Sequence, residues 1–215
     1  MSRYDFMLVG VGGQGTLLAS DVLAATGVRA GLDVKKSEVH GMAQRGGSVT
    51  SHVRWAHQVF SPLIGRGEAG YMVAFEKLEA VRFAGYLQPG AVIVVNDHAI
   101  PPISVSAGGD RYPSDAEVRR ALAAVSANVH FVNALSIAES LGEVRANNMV
   151  LLGALSRFVD VDLDCWLAAI AGRVSARTLD INRAAFLAGR QALSDAEHAD
   201  RSPHCVGRTS DRTPR

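Results

Sequence analysis

Short apolar runs punctuated by glycine alternate with amphipathic stretches along the chain, and that rhythm predicts its elements. Residues 4–9 form a near-continuous apolar run, the pattern of a buried strand. Residues 17–25 follow as a helix, and 34–39 as a second strand, expected parallel to the first through a right-handed crossover. Residues 49–55 alternate apolar with polar, predicting a strand with one wetted face. Further strands are predicted at 71–75, 91–96 and 129–132. Short added pieces are expected at 59–63, where Pro62 demotes the strand to an edge, and at 103–105. Helices are expected at 77–83, 134–141, 147–158, from Asp162 or Asp164 to 171, and at 182–193 with Asp180 as a cap. Ser114 or Asp115 can cap one more, running to Val125. Strands alternating with helices argue a parallel-rich α/β sheet with a helical final third. One domain is expected over 1–193. The polar, aperiodic residues 194–215 are expected to be a disordered tail.

The first strand meets the first helix through Gly10, Gly12, Gly13, Gln14 and Gly15. Such a turn exposes backbone N–H groups at a helix N-terminus, either to an anion or to a close-packed chain. The Gly-x-Gly-x-x-Gly spacing fits a dinucleotide fingerprint, for which Glu38 is the candidate ribose acid. After the second strand comes a polar, glycine-rich segment containing His40, Gln44, Arg45 and Ser48. Arg45 there suits a carboxylate or phosphate, with His40 as a polar contact. The same loop suits packing into a partner subunit.

Composition narrows the chemistry. An apolar fraction of 48% and a charged fraction of 20% are those of an ordinary globular protein. A net charge of +1 gives no electrostatic case for nucleic acid or anionic membrane. The N-terminus has no secretory pattern and no apolar run reaches about 18 residues, so a cytoplasmic location is expected. Two cysteines, Cys165 in an apolar helix and Cys205 in the tail, cannot build a four-cysteine zinc or iron–sulfur site. Histidine spacings offer no metal cage. The strand–helix elbow carries Gln14 rather than a serine nucleophile. Gly109-Asp110 and Asn147-Asn148 do not make a thiamine diphosphate motif, and Asn147-Asn148 reads as a helix cap. A phosphate-friendly loop without a nucleophile–base pair suits a non-catalytic partner of an enzyme.

Three stretches together resemble one family. They are the Gly10–Gly15 turn, the run Ser37-Glu38-Val39-His40-Gly41-Met42-Ala43-Gln44-Arg45-Gly46-Gly47-Ser48-Val49, and Asn148-Met149-Val150-Leu151-Leu152-Gly153-Ala154-Leu155. Residues 4–193 resemble the gamma-type domain of 2-oxoacid:ferredoxin oxidoreductases, and within it the beta subunits of the indolepyruvate-type members. One position departs from that pattern: Gly70 stands where an aspartate is expected. The resemblance implies a Rossmann-like, mostly parallel sheet with flanking helices. It implies an assembly that oxidatively decarboxylates a 2-oxoacid to an acyl-CoA and reduces ferredoxin. Thiamine diphosphate and iron–sulfur clusters are then expected on a large alpha subunit, and coenzyme A is the ligand that would face this chain. Gly10, Gly12, Gly13, Gln14 and Gly15 would form the anion-facing loop, with His40, Gln44, Arg45 and Ser48 lining the coenzyme A region or the interface. Two other readings stand beside it: a free-standing NAD(P)-binding oxidoreductase, and a pure assembly module that binds no small molecule.

Overall fold

The computed structural model describes residues 3–40 and 47–200, the side chains of His40, Ile103 and 194–200 aside. Its centre is β1 (Tyr4–Val11), whose run Phe6-Met7-Leu8-Val9 is buried throughout. Phe6 and Leu8 join one apolar cluster while Met7 and Val9 join another, so both faces of this strand are covered. That is why the run carries no polar alternation.

From β1 the chain enters α1 (Thr16–Arg29), returns as β2 (Asp33–His40) and crosses back as β3 (Ser48–Ala56). Then come β4 (Ala69–Ala74), α2 (Lys77–Arg82), β5 (Leu87–Asn96), α3 (Ile103–Ser106), α4 (Asp115–Ala123) and β6 (Val129–Val132). Four more helices follow: α5 (Ala134–Ser140), α6 (Asn147–Leu155), α7 (Leu163–Ala171) and α8 (Leu179–Asp200). The six strands lie in the order β2-β3-β1-β4-β5-β6. Pairs β1–β4, β4–β5 and β5–β6 are parallel, and only β3 runs against the rest, antiparallel to both its neighbours. The sheet is therefore the mostly parallel α/β sheet expected.

Several local expectations change. β2 runs parallel to β1, as expected, but β3 lies between them, so the two do not pair. A strand reached through a short connection pairs antiparallel with its predecessor, and β3 does so along its whole length. Nor does β3 have a wetted face: its alternate polar residues Thr50 and His52 are buried along with Val53 and Trp55. Residues 59–63 form a loop rather than a strand, pinned where the Val59 N–H donates to Asp33 Oδ2 at 2.8 Å. Residues 103–106 make one helical turn after Pro101-Pro102, with Ser106 N–H donating to the Pro102 carbonyl. Cys165 is half-buried, and Cys205 lies outside the described residues.

Helices α1, α5, α6, α7 and α8 cover one face of the sheet, and α2 and α4 the other. Residues 148–155 of α6 are all buried, since the helix is sandwiched between the sheet and α8. Two glycines let α6 and α8 touch. A Cβ on Gly153 would lie 1.9 Å from the Phe186 carbonyl oxygen, and one on Gly189 1.9 Å from that of Val150. Of the two candidate caps Ser114 is the one that starts α4, and it forms a capping box with Glu117. Helix α8 continues to Asp200 rather than ending at Leu193, and 201–215 lie outside the described residues. No helix among the described residues is long and apolar enough to cross a membrane.

Candidate functional site

The carboxyl end of β1 is where the sheet reverses its winding: α1 leaves toward one face and α2, after the neighbouring β4, toward the other. Crevices at such points are the usual ligand sites of open α/β sheets. The five residues of the glycine turn meet here, but in different roles. The Gln14 side chain faces inward and braces the turn. Its Oε1 accepts from Val11 N–H at 2.7 Å and its Nε2 donates to the Phe75 carbonyl at 2.9 Å, tying the ends of β1 and β4 together. Gly10 makes room for this brace, because a Cβ there would sit 2.9 Å from both Gln14 Oε1 and Phe75 Cβ. Gly12 N–H donates to the Gly47 carbonyl at 2.9 Å and so joins the turn to the start of β3. Gly13 and Gly15 have φ of 106° and 79°, conformations that favour glycine. Gly15 is also the N-cap of α1, and among the described residues no side chain caps that helix.

Ser48 pairs in register with Val11, and His40 with Val49, so both reach this end of the sheet. The Ser48 hydroxyl is occupied, donating to Glu79 Oε2. Gln44 and Arg45 lie outside the described residues, as does the side chain of His40. Glu38 does not take up a ribose-binding place: its strand is one removed from β1, and its carboxylate lies 2.6 Å from Lys36 Nζ.

Two buried carboxylates underlie the strand ends. Glu76 caps α2 through Glu79 N–H at 3.0 Å, and its other oxygen accepts from Ile100 N–H at 3.1 Å and from the Tyr112 hydroxyl. Burial, with Glu76 alongside, holds the Tyr112 phenol well above its ordinary range. Glu79 is also raised, first by burial, against the opposing hydrogen bond from Ser48 and the charge of Arg82. Lys77 links Asp97 and Asp115 at 3.0 and 2.7 Å. These groups brace the loops around the crevice.

Four residues at this place are not among those the sequence marks as a site. Asn96 bonds the Phe75 carbonyl and Ala134 N–H, joining the ends of three strands. Asn148 is not a cap: α6 begins after Ala146, and Asn148 Nδ2 donates instead to the Gly15 carbonyl at 3.3 Å. With Gly13 and Gly15 it lines an open cleft of about 420 Å³, together with His98 and Arg145. Among the described residues no three of His, Cys, Asp and Glu converge as metal ligands.

Comparison with known proteins places this architecture. Indolepyruvate oxidoreductase subunit IorB of Archaeoglobus fulgidus is 40% identical over 195 residues, 89% of this chain and 96% of its own. The fold matches the keto/oxoacid ferredoxin oxidoreductase gamma subunit of Geobacter sulfurreducens with a TM-score of 0.70 at 21% identity, covering 91% of this chain and 99% of that one. It also matches the 2-oxoglutarate:ferredoxin oxidoreductase of Magnetococcus marinus, solved with 2-oxoglutarate, coenzyme A and succinyl-CoA, with a TM-score of 0.67 at 22% identity. That match covers 91% of this chain and 32% of the other. The pyruvate ferredoxin/flavodoxin oxidoreductase family pattern spans residues 5–192, and the chain belongs to that family.

Proposed function

We propose that this chain is the small, non-catalytic subunit of a thiamine-diphosphate-dependent indolepyruvate:ferredoxin oxidoreductase. In this reading a large alpha subunit carries thiamine diphosphate and iron–sulfur clusters. It oxidatively decarboxylates an arylpyruvate to its acyl-CoA and hands the electrons to ferredoxin. The observation that carries the reading is the 40% identity to an IorB subunit over nearly the whole of both chains. The glycine-turn end of the sheet is the docking face. Leu17, Val39 and Val144 stand 44, 50 and 45% exposed there, beside the uncapped start of α1.

Coenzyme A is the small molecule this face would meet, and the residues fit its phosphates. Gly13 and Gly15 present bare backbone at a helix N-terminus, where an anion is favoured. Gly10, Gly12 and Gln14 hold that backbone in shape. His40, Gln44, Arg45 and Ser48 complete the proposed lining, with Arg45 as the cation.

Co-expression with the large subunit tests the placement. The two chains are expected to co-purify, and Leu17→Asp and Val39→Asp each to weaken the complex about tenfold or more by burying a charge. Phe60, 85% exposed in the loop at the other end of the sheet, is the control, and Phe60→Asp should leave the complex intact. Dissociation by Phe60→Asp alone would put the interface at the wrong end. Failure to co-purify at all would end the subunit reading.

A further inference from the structure

The sheet ends in two unequal edges. β6 is four residues long, while β2 runs for eight. β2 pairs with β3 along its whole length, and among the described residues no strand lies on its other side. A long edge of that kind is a template for a further strand unless something covers it. The flank of α1 above this edge is open as well. Lys36 Nζ reaches Asp21 there, and Ala25 and Val28 border one groove with Val34 and Lys36 of β2. Val28 is 62% exposed.

What the strand carries fits a second copy of itself. Two copies of one edge strand pair antiparallel only about a twofold axis perpendicular to the sheet, which sets one residue opposite its own copy. Centring that axis on Lys35, Lys36 or Glu38 puts like charges face to face, and centring it on Val34 or Val39 pairs only three residues of each strand. Ser37 is the remaining interior position. With the axis there, Ser37 meets Ser37, Lys36 meets Glu38, Lys35 meets Val39 and Val34 meets His40, so no like charges are opposed. Lys36 and Glu38 already touch within one strand at 2.6 Å, so the four groups close an alternating ring across the axis. The helices above agree with this pairing. α1 packs on both β2 and β3, which places its axis about one strand spacing, 5 Å, from the twofold. The two copies of α1 then run about 10 Å apart, a distance at which helices pack, and cover Val28.

We propose that β2 pairs with β2 of a second copy of this chain, centred on Ser37, and joins two six-stranded sheets into one of twelve. The contact runs along the side of the sheet, and the inference does not rest on the subunit reading.

Mass and cross-linking of the full-length chain test it. Light scattering should give twice the 22.8 kDa of one copy, with a dimer Kd of about 10 μM or below. Ser37 is half-buried and its hydroxyl has no hydrogen bond among the described residues, so Ser37→Asp spares the fold while setting two carboxylates opposite each other. It should weaken the dimer several-fold. In a Cys165→Ser, Cys205→Ser background, Ser37→Cys should give a disulfide-linked dimer under mild oxidation, because opposite Cα atoms lie about 4.5–5.5 Å apart, inside disulfide range. Lys35→Cys should not, because in this register the two Lys35 positions are about 13 Å out of step. The mass of a single copy at about 100 μM chain would overturn the proposal. So would a dimer indifferent to Ser37→Asp, or cross-linking no greater at Ser37→Cys than at Lys35→Cys. In a complex with the large subunit the Ser37→Cys link should persist, and its loss there would give the edge to that subunit and overturn the proposal as well. If the large subunit does not bind, the subunit reading fails, while the mass and cross-linking of the chain alone still decide this one.

Discussion

Replacing Gly153 by alanine sets two effects of opposite sign against each other. Alanine is a better helix former than glycine by about 1 kcal/mol, so an isolated α6 would gain. In the folded chain the new Cβ would lie 1.9 Å from the Phe186 carbonyl oxygen and 3.1 Å from Arg190 N. An ordinary C···O approach is about 3.3 Å, so α6 and α8 would have to part by roughly 1.4 Å at their closest point. The obstacle is backbone on both sides and has no rotamer to yield. A gap of even about 1 Å forfeits a quarter to a half of the dispersion energy across a contact. The contact here includes buried Phe186, Ala185 and Leu193, and the Arg190 bond to Ser156 Oγ at 2.7 Å. Overpacking of this kind costs about 3 kcal/mol, at the upper end of the usual range. Set against the helix gain, the net loss is about 2 kcal/mol, a fall in Tm of about 4–8 °C for a domain of this size. Gly189→Ala should do the same, since its Cβ meets the Val150 carbonyl at 1.9 Å. The double variant should cost less than the sum, because one separation relieves both clashes. Thermal and urea unfolding followed by circular dichroism give these values. A Tm unchanged or raised in Gly153→Ala would refute the close crossing and leave helix propensity as the deciding effect.

Three other predictions concern buried and half-buried polar groups and their hydrogen bonds. Gln14→Ala removes both bonds of the amide that ties β1 to β4, and should lower stability by about 1–3 kcal/mol in urea unfolding; a neutral result would mean the turn holds its shape without it. His52 is buried, its Nδ1 accepts from Ile64 N–H at 3.1 Å, and burial followed by the charge of Arg54 lowers its pKa. Its contribution is present above pH 6.5 and lost as pH falls through the depressed value, so its ring should titrate below 6.5 by NMR; a midpoint at or above 6.5 would contradict the burial. Glu79 behaves in the opposite sense: its raised pKa gives stability that is present below 4.5 and lost as pH rises through the folded value. Glu79→Gln should flatten the stability profile above pH 4.5, and an unchanged slope would exclude this carboxyl as its source.

How far the chain could be read before folding depended on the range of the interactions involved. The strand–glycine–helix unit of β1 and α1 is written in adjacent residues, as is the cap at Ser114, one of the two candidates offered, and both appear where expected. Strand order is different. Alternation in residues 49–55 shows a strand but not its neighbours, so the insertion of β3 between β1 and β2 had no local signature. The same alternation suggested a wetted face because Thr50 and His52 are polar, yet the sheet buries them. Ile103 to Val105 look like a strand by composition, but the preceding prolines start a helical turn whose bonds return to Pro102. Asn148 was legible only as a cap, because its partner at Gly15 is 133 residues away in sequence. The glycines were therefore readable as a turn, while the contacts that Asn96 and Asn148 make across the strand ends were not.

The claim that this chain completes an oxidoreductase without carrying its redox groups is most directly tested by reconstitution. Indolepyruvate-dependent reduction of ferredoxin, with thiamine diphosphate and coenzyme A supplied, should be absent with the purified chain, low with the large subunit alone, and restored when the two are mixed. Full activity from the large subunit alone, or turnover by this chain unaided, would contradict the account.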